Sequence, residues 1–256
     1  MPNPVVVTRP LAQAERLAAG IAALGRQAIL FPLLEIHPLA DVRPLLSALQ
    51  NLGHYGMVAF VSPNAIHSVF SRIDSWPQGV PIGIVGEGSR NALAEHGITA
   101  PAHTIFSPTD PDHSDSEGLL AVLDIQKLGG KPVLIVRGES GRELLADELR
   151  AHGIQVEQVA AYRRSVPVLD SNRRDRLTAL IRSEHDWIVT SSEAMRNLVQ
   201  MTKETAGDAG VQKLQQQTFF VPHARIETTA RELGFGKLIL TVSGDAGLLA
   251  ALQCRP

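Results

Sequence analysis

A single cysteine, Cys254, stands among 256 residues, which excludes an internal disulfide and a cysteine-built metal knuckle and fits a reducing compartment. Long hydrophobic runs are also missing. The longest apolar stretches reach about seven residues, whereas a membrane-crossing helix needs roughly 18, so no membrane span is expected. The first residues, MPNPVVVTRP, lack the basic flank, apolar stretch and small-residue cleavage site of a secretory signal, and the expected location is cytoplasmic. Positive charge is in no surplus. With 24 Lys and Arg against 26 Asp and Glu, generic nucleic-acid binding is disfavoured, and an anionic ligand would have to be held by local geometry. Nine histidines are present without H-E-x-x-H or related spacing, which argues against a structural zinc or a metallohydrolase.

What the chain does contain is a plan written twice. VVVTRPLAQAERLAAGIAALG (5–25) and VLIVRGESGRELLADELRAHGI (133–154) align without a gap, Arg9 with Arg137, Leu17 with Leu145, Ile21 with Leu149 and Gly25 with Gly153. Each copy opens on β-branched residues suited to a strand buried on both faces. Each continues as an amphipathic helix that stops at a glycine able to take the left-handed C′ conformation. Next come the second strands, AILFPLL and QVEQVAAY. GMVAFVSPNAIHSVF (56–70) then resembles DWIVTSSEAMRNLVQ (186–200), and IGIVGEGSRNALAEHGI (82–98) resembles FFVPHARIETTARELGF (219–235). Three strand-loop-helix units occurring twice predict two doubly wound parallel-sheet α/β domains of Rossmann or flavodoxin-like type.

LLEIHPLAD (33–41) and YRRSVPVLD (162–170) occupy matching places. They read as extended segments bridging the domains, each ending on an aspartate that can cap a helix. The stretch PAHTIFSPTDPDHSDSEG (101–118) reads as a solvated loop leading to a helix capped near Ser114 or Ser116. Its alternative, a metal site at Asp110, Asp112, His113 and Asp115, has no recognised ligand spacing.

Ligands of open parallel sheets bind beyond the C-terminal strand ends. The loops there, TRPLAQ, VSPNA, VGEGS, VRGESGRE, TSSEA and VPHAR, open helices whose first N–H groups attract carboxylates and phosphates. VGEGS has glycines at 86 and 88, but the third glycine of a dinucleotide fingerprint would fall on Asn91. RGESGRE lacks the G-K-[ST] of a phosphate loop, so nucleotide binding is disfavoured. Arg9 and Arg137 read either as anion clamps or as partners of nearby carboxylates. Ser62 and Ser191 read as helix caps, a role compatible with anion binding, and neither sits in a G-x-S-x-G elbow. His223 stands in a strand-to-helix loop. Tyr162 reads either as an aromatic packed at a strand end or as a phenol that donates a hydrogen bond or a proton.

Taken together, VVVTRP, FVSPNA, IGIVGEGS, VLIVRGESGRELLADELRAHGIQVEQVAAYRR and DWIVTSSEAMRNLV resemble the uroporphyrinogen-III synthase family along essentially the whole chain. The resemblance implies two α/β domains joined by a two-stranded β connector: residues 1–34 with 171–256, residues 42–161, and connector strands at 35–41 and 162–170. It implies an enzyme that converts hydroxymethylbilane, a linear tetrapyrrole with eight carboxylates, to uroporphyrinogen III through an azafulvene and a spiro intermediate that inverts ring D. No cofactor or metal is implied, a monomer is expected, and transient contact with hydroxymethylbilane synthase would suit so unstable a substrate. Main-chain N–H groups near Ser62, Pro63 and Asn64, near Gly86, Glu87, Gly88 and Ser89, near Arg137, Gly138, Glu139, Ser140 and Gly141, near Ser191 and Ser192, and near His223, Ala224 and Arg225 would bind the carboxylates, with Arg9 beside them. Tyr162 matches the family's favoured proton donor to the leaving hydroxyl. His223 and Ala224 stand where many relatives have glycine and a small or hydroxyl residue, and Ser192 stands where proline is common. The contrasting reading is a non-enzymatic module whose two lobes close on an anionic small molecule. An enzyme with a nucleotide cofactor is a third.

Overall fold

The computed structural model describes residues 2–110, 115–128 and 130–254. The chain divides into two compact units, Met1–Glu35 with Ser165–Pro256, and Ile36–Arg164. Elements are numbered along the chain. The first unit holds β1 (Val5–Val7), α1 (Leu11–Ala23), β2 (Ala28–Leu30), α7 (Ser171–Arg182), β9 (Asp186–Ile188), α8 (Ser192–Gln215), β10 (Thr218–Val221), α9 (Ala224–Glu232), β11 (Leu238–Leu240) and α10 (Asp245–Gln253). The rest comprises β3 (Glu35–His37), α2 (Arg43–Gln50), β4 (Met57–Phe60), α3 (Pro63–Phe70), β5 (Ile82–Ile84), α4 (Glu87–Glu95), β6 (Ile105–Phe106), α5 (Ser116–Val122), β7 (Val133–Gly138), α6 (Leu144–Ala151) and β8 (Val156–Ser165).

One sheet runs β11-β10-β9-β1-β2 and the other β3-β8-β7-β4-β5-β6, and the pairs β1 with β2 and β9, β10 with β9 and β11, β4 with β5 and β7, β5 with β6 and β7 with β8 are all parallel. The repeat is visible in these orders. Reading the second sheet as β6-β5-β4-β7-β8 superposes its plan on the first, with β7 in the place of β1 and β4 in the place of β9. The chain enters the plan at different strands, so in both sheets the central pair, β1 with β9 or β7 with β4, is where the connections reverse direction. Doubly wound sheets place ligands beyond the carboxyl ends of such a pair.

Alternation in the central strands explains why they are buried throughout. Val58 and Phe60 of β4 pack on one side with Ile66, Val69 and Trp76, while Met57 and Ala59 pack on the other with Leu119, Leu145 and Leu149. In the first unit Val6 and Trp187 face Leu198 and Phe219, and Val5, Val7 and Ile188 face Leu17 and Ile21. The paired helix positions Leu17 and Leu145, Ile21 and Leu149 are at most 3% exposed. Gly25 and Gly153 turn the chain at φ 73° and 80°, as the repeat predicts.

Several boundaries differ from the sequence expectation. The strand read as AILFPLL is regular only over Ala28–Leu30, because Pro32 cannot donate to a ladder. Phe31 and Leu33 still enter the core. Ile105–Phe106, expected in a solvated loop, pairs with β5 as an edge strand. The following helix is capped by Asp115, whose side chain accepts from the Gly118 N–H at 3.0 Å, not by Ser116. Ser114, Asp112 and His113 lie outside the described residues. Among the described residues no group of three or more His, Cys, Asp or Glu could hold a metal ion, and no helix is long and apolar enough to cross a membrane. Asp170 caps α7 through the Arg173 N–H at 2.8 Å, as anticipated.

Candidate active site

In the second unit three sequence-distant segments meet at the carboxyl end of the central pair. Ser62 follows β4 and caps α3, its Oγ accepting from the Ala65 N–H at 3.2 Å. Pro63 and Asn64 form the first turn, where the missing proline N–H costs nothing. Gly138 closes β7. Tyr162 lies beside it on β8, brought opposite Gly138 by a register shift: Arg137 pairs with Ala160, and the next pair is Gly138 with Tyr162. Such a bulge re-aims the side chain that follows it. The tyrosine ring then passes so close to Gly138 that a Cβ there would meet Cζ, Cε2 and the hydroxyl at 3.1, 3.2 and 3.3 Å. Any larger residue at 138 would displace the ring.

The Tyr162 hydroxyl lies 3.0 Å from Ser62 Oγ. Its main chain is held too, the carbonyl accepting from the Glu139 N–H at 3.0 Å, while Ser68 of α3 donates to the Ala161 carbonyl at 2.6 Å. The ring packs in the core and the residue is 6% exposed, so what it offers to chemistry is the hydroxyl. The other tyrosine is committed elsewhere. Tyr55 donates to Glu157 at 2.6 Å, and burial, reinforced by that carboxylate, pushes its phenol well above the usual range.

The α4 start adjoins the α3 start, since a Cβ on Gly88 would lie 3.4 Å from the Pro63 ring. Gly86 caps α4, Glu87 and Gly88 follow, and Ser89 is buried. A carboxylate already sits in that first turn, with Glu87 Oε2 3.6 Å from Arg90.

Residues 138–141 do not form a helix start. Glu139, Ser140 and Gly141 lie in a loop and α6 begins only at Leu144, with Arg137 anchored beside that loop. Its Nη1 contacts Glu143 Oε1 and Gln158 Oε1, both at 2.5 Å, and a Cβ on Gly141 would lie 2.9 Å from Nη2. Hydrogen bonds from Gln158 and Arg137 hold the Glu143 carboxyl below its usual range. Arg164 donates to the Ser140 carbonyl at 2.9 Å. Of the two roles left open for Arg137, the structure contains carboxylate pairing.

In the first unit Arg9 is likewise paired, its Nη1 2.5 Å from Asp245 Oδ1. Ser191 caps α8, accepting from the Ala194 N–H at 3.0 Å, and Ser192 follows. His223 caps α9 with extended backbone, ahead of Ala224 and Arg225. Thr229, within α9, ties that helix to the start of α8 by donating to Ser192 Oγ at 3.0 Å. Removing the Ser191 hydroxyl (Ser191→Ala) should lower the unfolding free energy by about 1 kcal/mol, read from the urea midpoint. No change would mean that the cap bond is replaced by solvent. Sequence reasoning singled out Ser62 and Tyr162 separately but not their pairing, and it missed Ser68, Gln158 and Thr229. Partners separated by as many as 100 residues leave no signal in one sequence.

The chain matches the family model described as uroporphyrinogen-III synthase HemD over residues 15–249. It is 30% identical over 254 residues to the uroporphyrinogen-III synthase of Escherichia coli and 29% identical over 254 residues to that of Salmonella typhimurium, in each case over 97% of this chain and 99% of the relative. Solved structures share the fold. A mutant uroporphyrinogen III synthase of the extremely thermophilic bacterium Thermus thermophilus aligns with a TM-score of 0.61 at 16% identity, covering 98% of both chains. The uroporphyrinogen-III synthetase of Helicobacter pylori aligns with 0.61 at 18%, covering 99% of this chain and 100% of its own.

Proposed function

The chain belongs to the uroporphyrinogen-III synthase family, and from that premise we propose which residues carry its reaction. The activity is that of the family: hydroxymethylbilane is cyclised to uroporphyrinogen III, one water is lost, and ring D is inverted, a step of tetrapyrrole and haem biosynthesis. The change is redox-neutral. It therefore requires no electron carrier, only a departing hydroxyl, a carbon nucleophile and a geometry that favours the inverted product.

Tyr162 is the proton donor in this proposal. Its phenolic hydrogen passes to the terminal hydroxyl of hydroxymethylbilane. The carbon–oxygen bond breaks with its electrons going to the departing water, which leaves a protonated azafulvene beside the tyrosinate. The substituted carbon of ring D then attacks, giving the spiro intermediate that recloses with ring D inverted, and the proton shed as the pyrrole is restored returns to the tyrosinate. Uninverted cyclisation occurs unaided in this chemistry, so the larger part of the task is orientation, in which a held conformer replaces a search. The acetate and propionate groups are taken by main-chain N–H groups at the starts of α3, α4, α8 and α9, where helix N-termini favour negative charge. The loop at 138–141 contributes through Gly138 and Glu139, which hold the Tyr162 ring and main chain, rather than as a helix start. A substrate carboxylate reaching Arg9 or Arg137 would have to compete with Asp245 or Glu143. The observation that carries the assignment of Tyr162 is its hydroxyl at the carboxyl end of β7 and β4, against a helix-start serine. A cytoplasmic monomer that receives its substrate through transient contact with hydroxymethylbilane synthase completes the proposal.

The test is product analysis. Freshly generated hydroxymethylbilane is given to the purified protein, the products are oxidised, and type I and type III isomers are separated by chromatography. Predominant type III is the expected result. Type I alone, at the spontaneous rate, would leave an anion-binding module as the better reading.

A further inference from the structure

Two hydroxyls 3.0 Å apart can share a hydrogen in either direction, and the direction decides whether Tyr162 has a proton to give. If the phenol donates to Ser62, its hydrogen is occupied. If Ser62 donates to the phenol, the phenolic hydrogen is directed away from the serine and is available.

The surroundings of Ser62 favour the second arrangement. A serine hydroxyl has one hydrogen and two acceptor positions, and the Ala65 N–H takes one acceptor position at 3.2 Å. A hydroxyl that already accepts a bond is polarised into a better donor. The positive end of α3 strengthens this, because it favours negative charge on the oxygens nearest to it. The tyrosine is held so that the two oxygens stay within hydrogen-bond reach. Its ring is pressed against Gly138, its carbonyl is tied to Glu139, and α3 is fixed to the preceding residue through Ser68.

We propose that Ser62 is a positioning residue for Tyr162: anchored by the Ala65 N–H, its hydroxyl donates to the phenolic oxygen, so that the phenolic hydrogen faces the departing hydroxyl of the substrate. The same chain acts after the transfer. When the proton has moved to the leaving hydroxyl and water departs, the negative charge on the tyrosine oxygen is met by the Ser62 hydrogen, backed by the helix start. Ser62 touches no reacting atom in this account. The inference rests on Tyr162 being the proton donor, so its test has to separate the two claims.

Four variants are compared with the wild type for type III kcat and KM after subtraction of spontaneous type I: Ser62→Gly, Ser62→Thr, Tyr162→Phe and Ser62→Gly with Tyr162→Phe. Glycine is a tolerated helix cap, so the helix start survives while the hydroxyl is lost; threonine keeps both cap and donor. Ser62→Gly is expected to lower kcat roughly tenfold, within the range of coupled neighbours, with KM nearly unchanged, and Ser62→Thr to restore most of it. In the Tyr162→Phe background Ser62→Gly is expected to cost no further kcat. An equal loss in both backgrounds, or a loss confined to KM, would overturn the positioning role while leaving Tyr162 as donor. Wild-type kcat in Tyr162→Phe would overturn the donor and this inference with it. Should Ser62→Gly fail to fold, Ser62→Asp serves in its place. It caps the helix but has no hydrogen to give, and an unchanged kcat in that variant would equally overturn the role.

Discussion

Tyr162→Phe is expected to lower type III kcat by about a hundredfold, the lower end of what a positioned acid contributes, with KM nearly unchanged. The substitution removes one oxygen and keeps the ring, so the packing against Gly138 and the core around Val159 and Ala161 is retained. Loss of a single partly buried hydrogen bond changes stability by only about 1 kcal/mol, and the variant should fold. A fall in kcat at constant KM marks an interaction made in the transition state alone, as expected for a proton passed to a departing hydroxyl. The residual enzymatic product should remain type III, because the conformation of the bound chain is set by the loops that hold its carboxylates. Steady-state kinetics with isomer analysis decide the matter, and a kcat within about twofold of wild type would remove Tyr162 from the chemistry.

The largest effect on stability is expected at Arg26. Its Nη2 contacts Asp186 Oδ2 at 2.5 Å, and both side chains are almost wholly buried, 4% and 2% exposed. The same guanidinium donates to the Asn3 carbonyl through Nε and Nη2 at 3.1 and 2.5 Å and to the Leu252 carbonyl through Nη1 at 3.5 Å. It therefore ties the segment before β1 and the end of α10 to β9. Arg26→Leu leaves the Asp186 carboxylate in the interior without its cation. Breaking a buried pair from one side costs about 3–5 kcal/mol, a large share of the roughly 5–15 kcal/mol that holds a domain folded. Urea and thermal unfolding would register it directly. A loss below about 1 kcal/mol would show that water or rearranged neighbours take over the role of the guanidinium.

Much of this architecture was legible beforehand. The aligned glycines at 25 and 153 take the left-handed turn that the repeat implied, and Ser62, Ser191 and Asp170 cap helices as their residue types suggest. These features are local, set by one residue and its next few neighbours. The reading failed where a distant partner prevailed over the local pattern. Ile105–Phe106 is a strand because β5 offers it a ladder. The glycine-rich loop at 138–141 is no helix start, and there Arg137 is tied to Gln158 on the neighbouring strand.

By itself, then, the sequence determined the alternation of strand and helix, the twofold repeat, the caps and the buried positions, since hydrophobic period and capping chemistry act within a few residues. Only the tertiary structure decided the strand order that sets β1 between β9 and β2, that one bulged residue in β8 carries Tyr162 onto Gly138, and that its hydroxyl meets Ser62. Those are contacts between chain segments far apart in sequence, as between Thr8 and Ile188, 180 residues apart, and they exist only once the sheets have assembled.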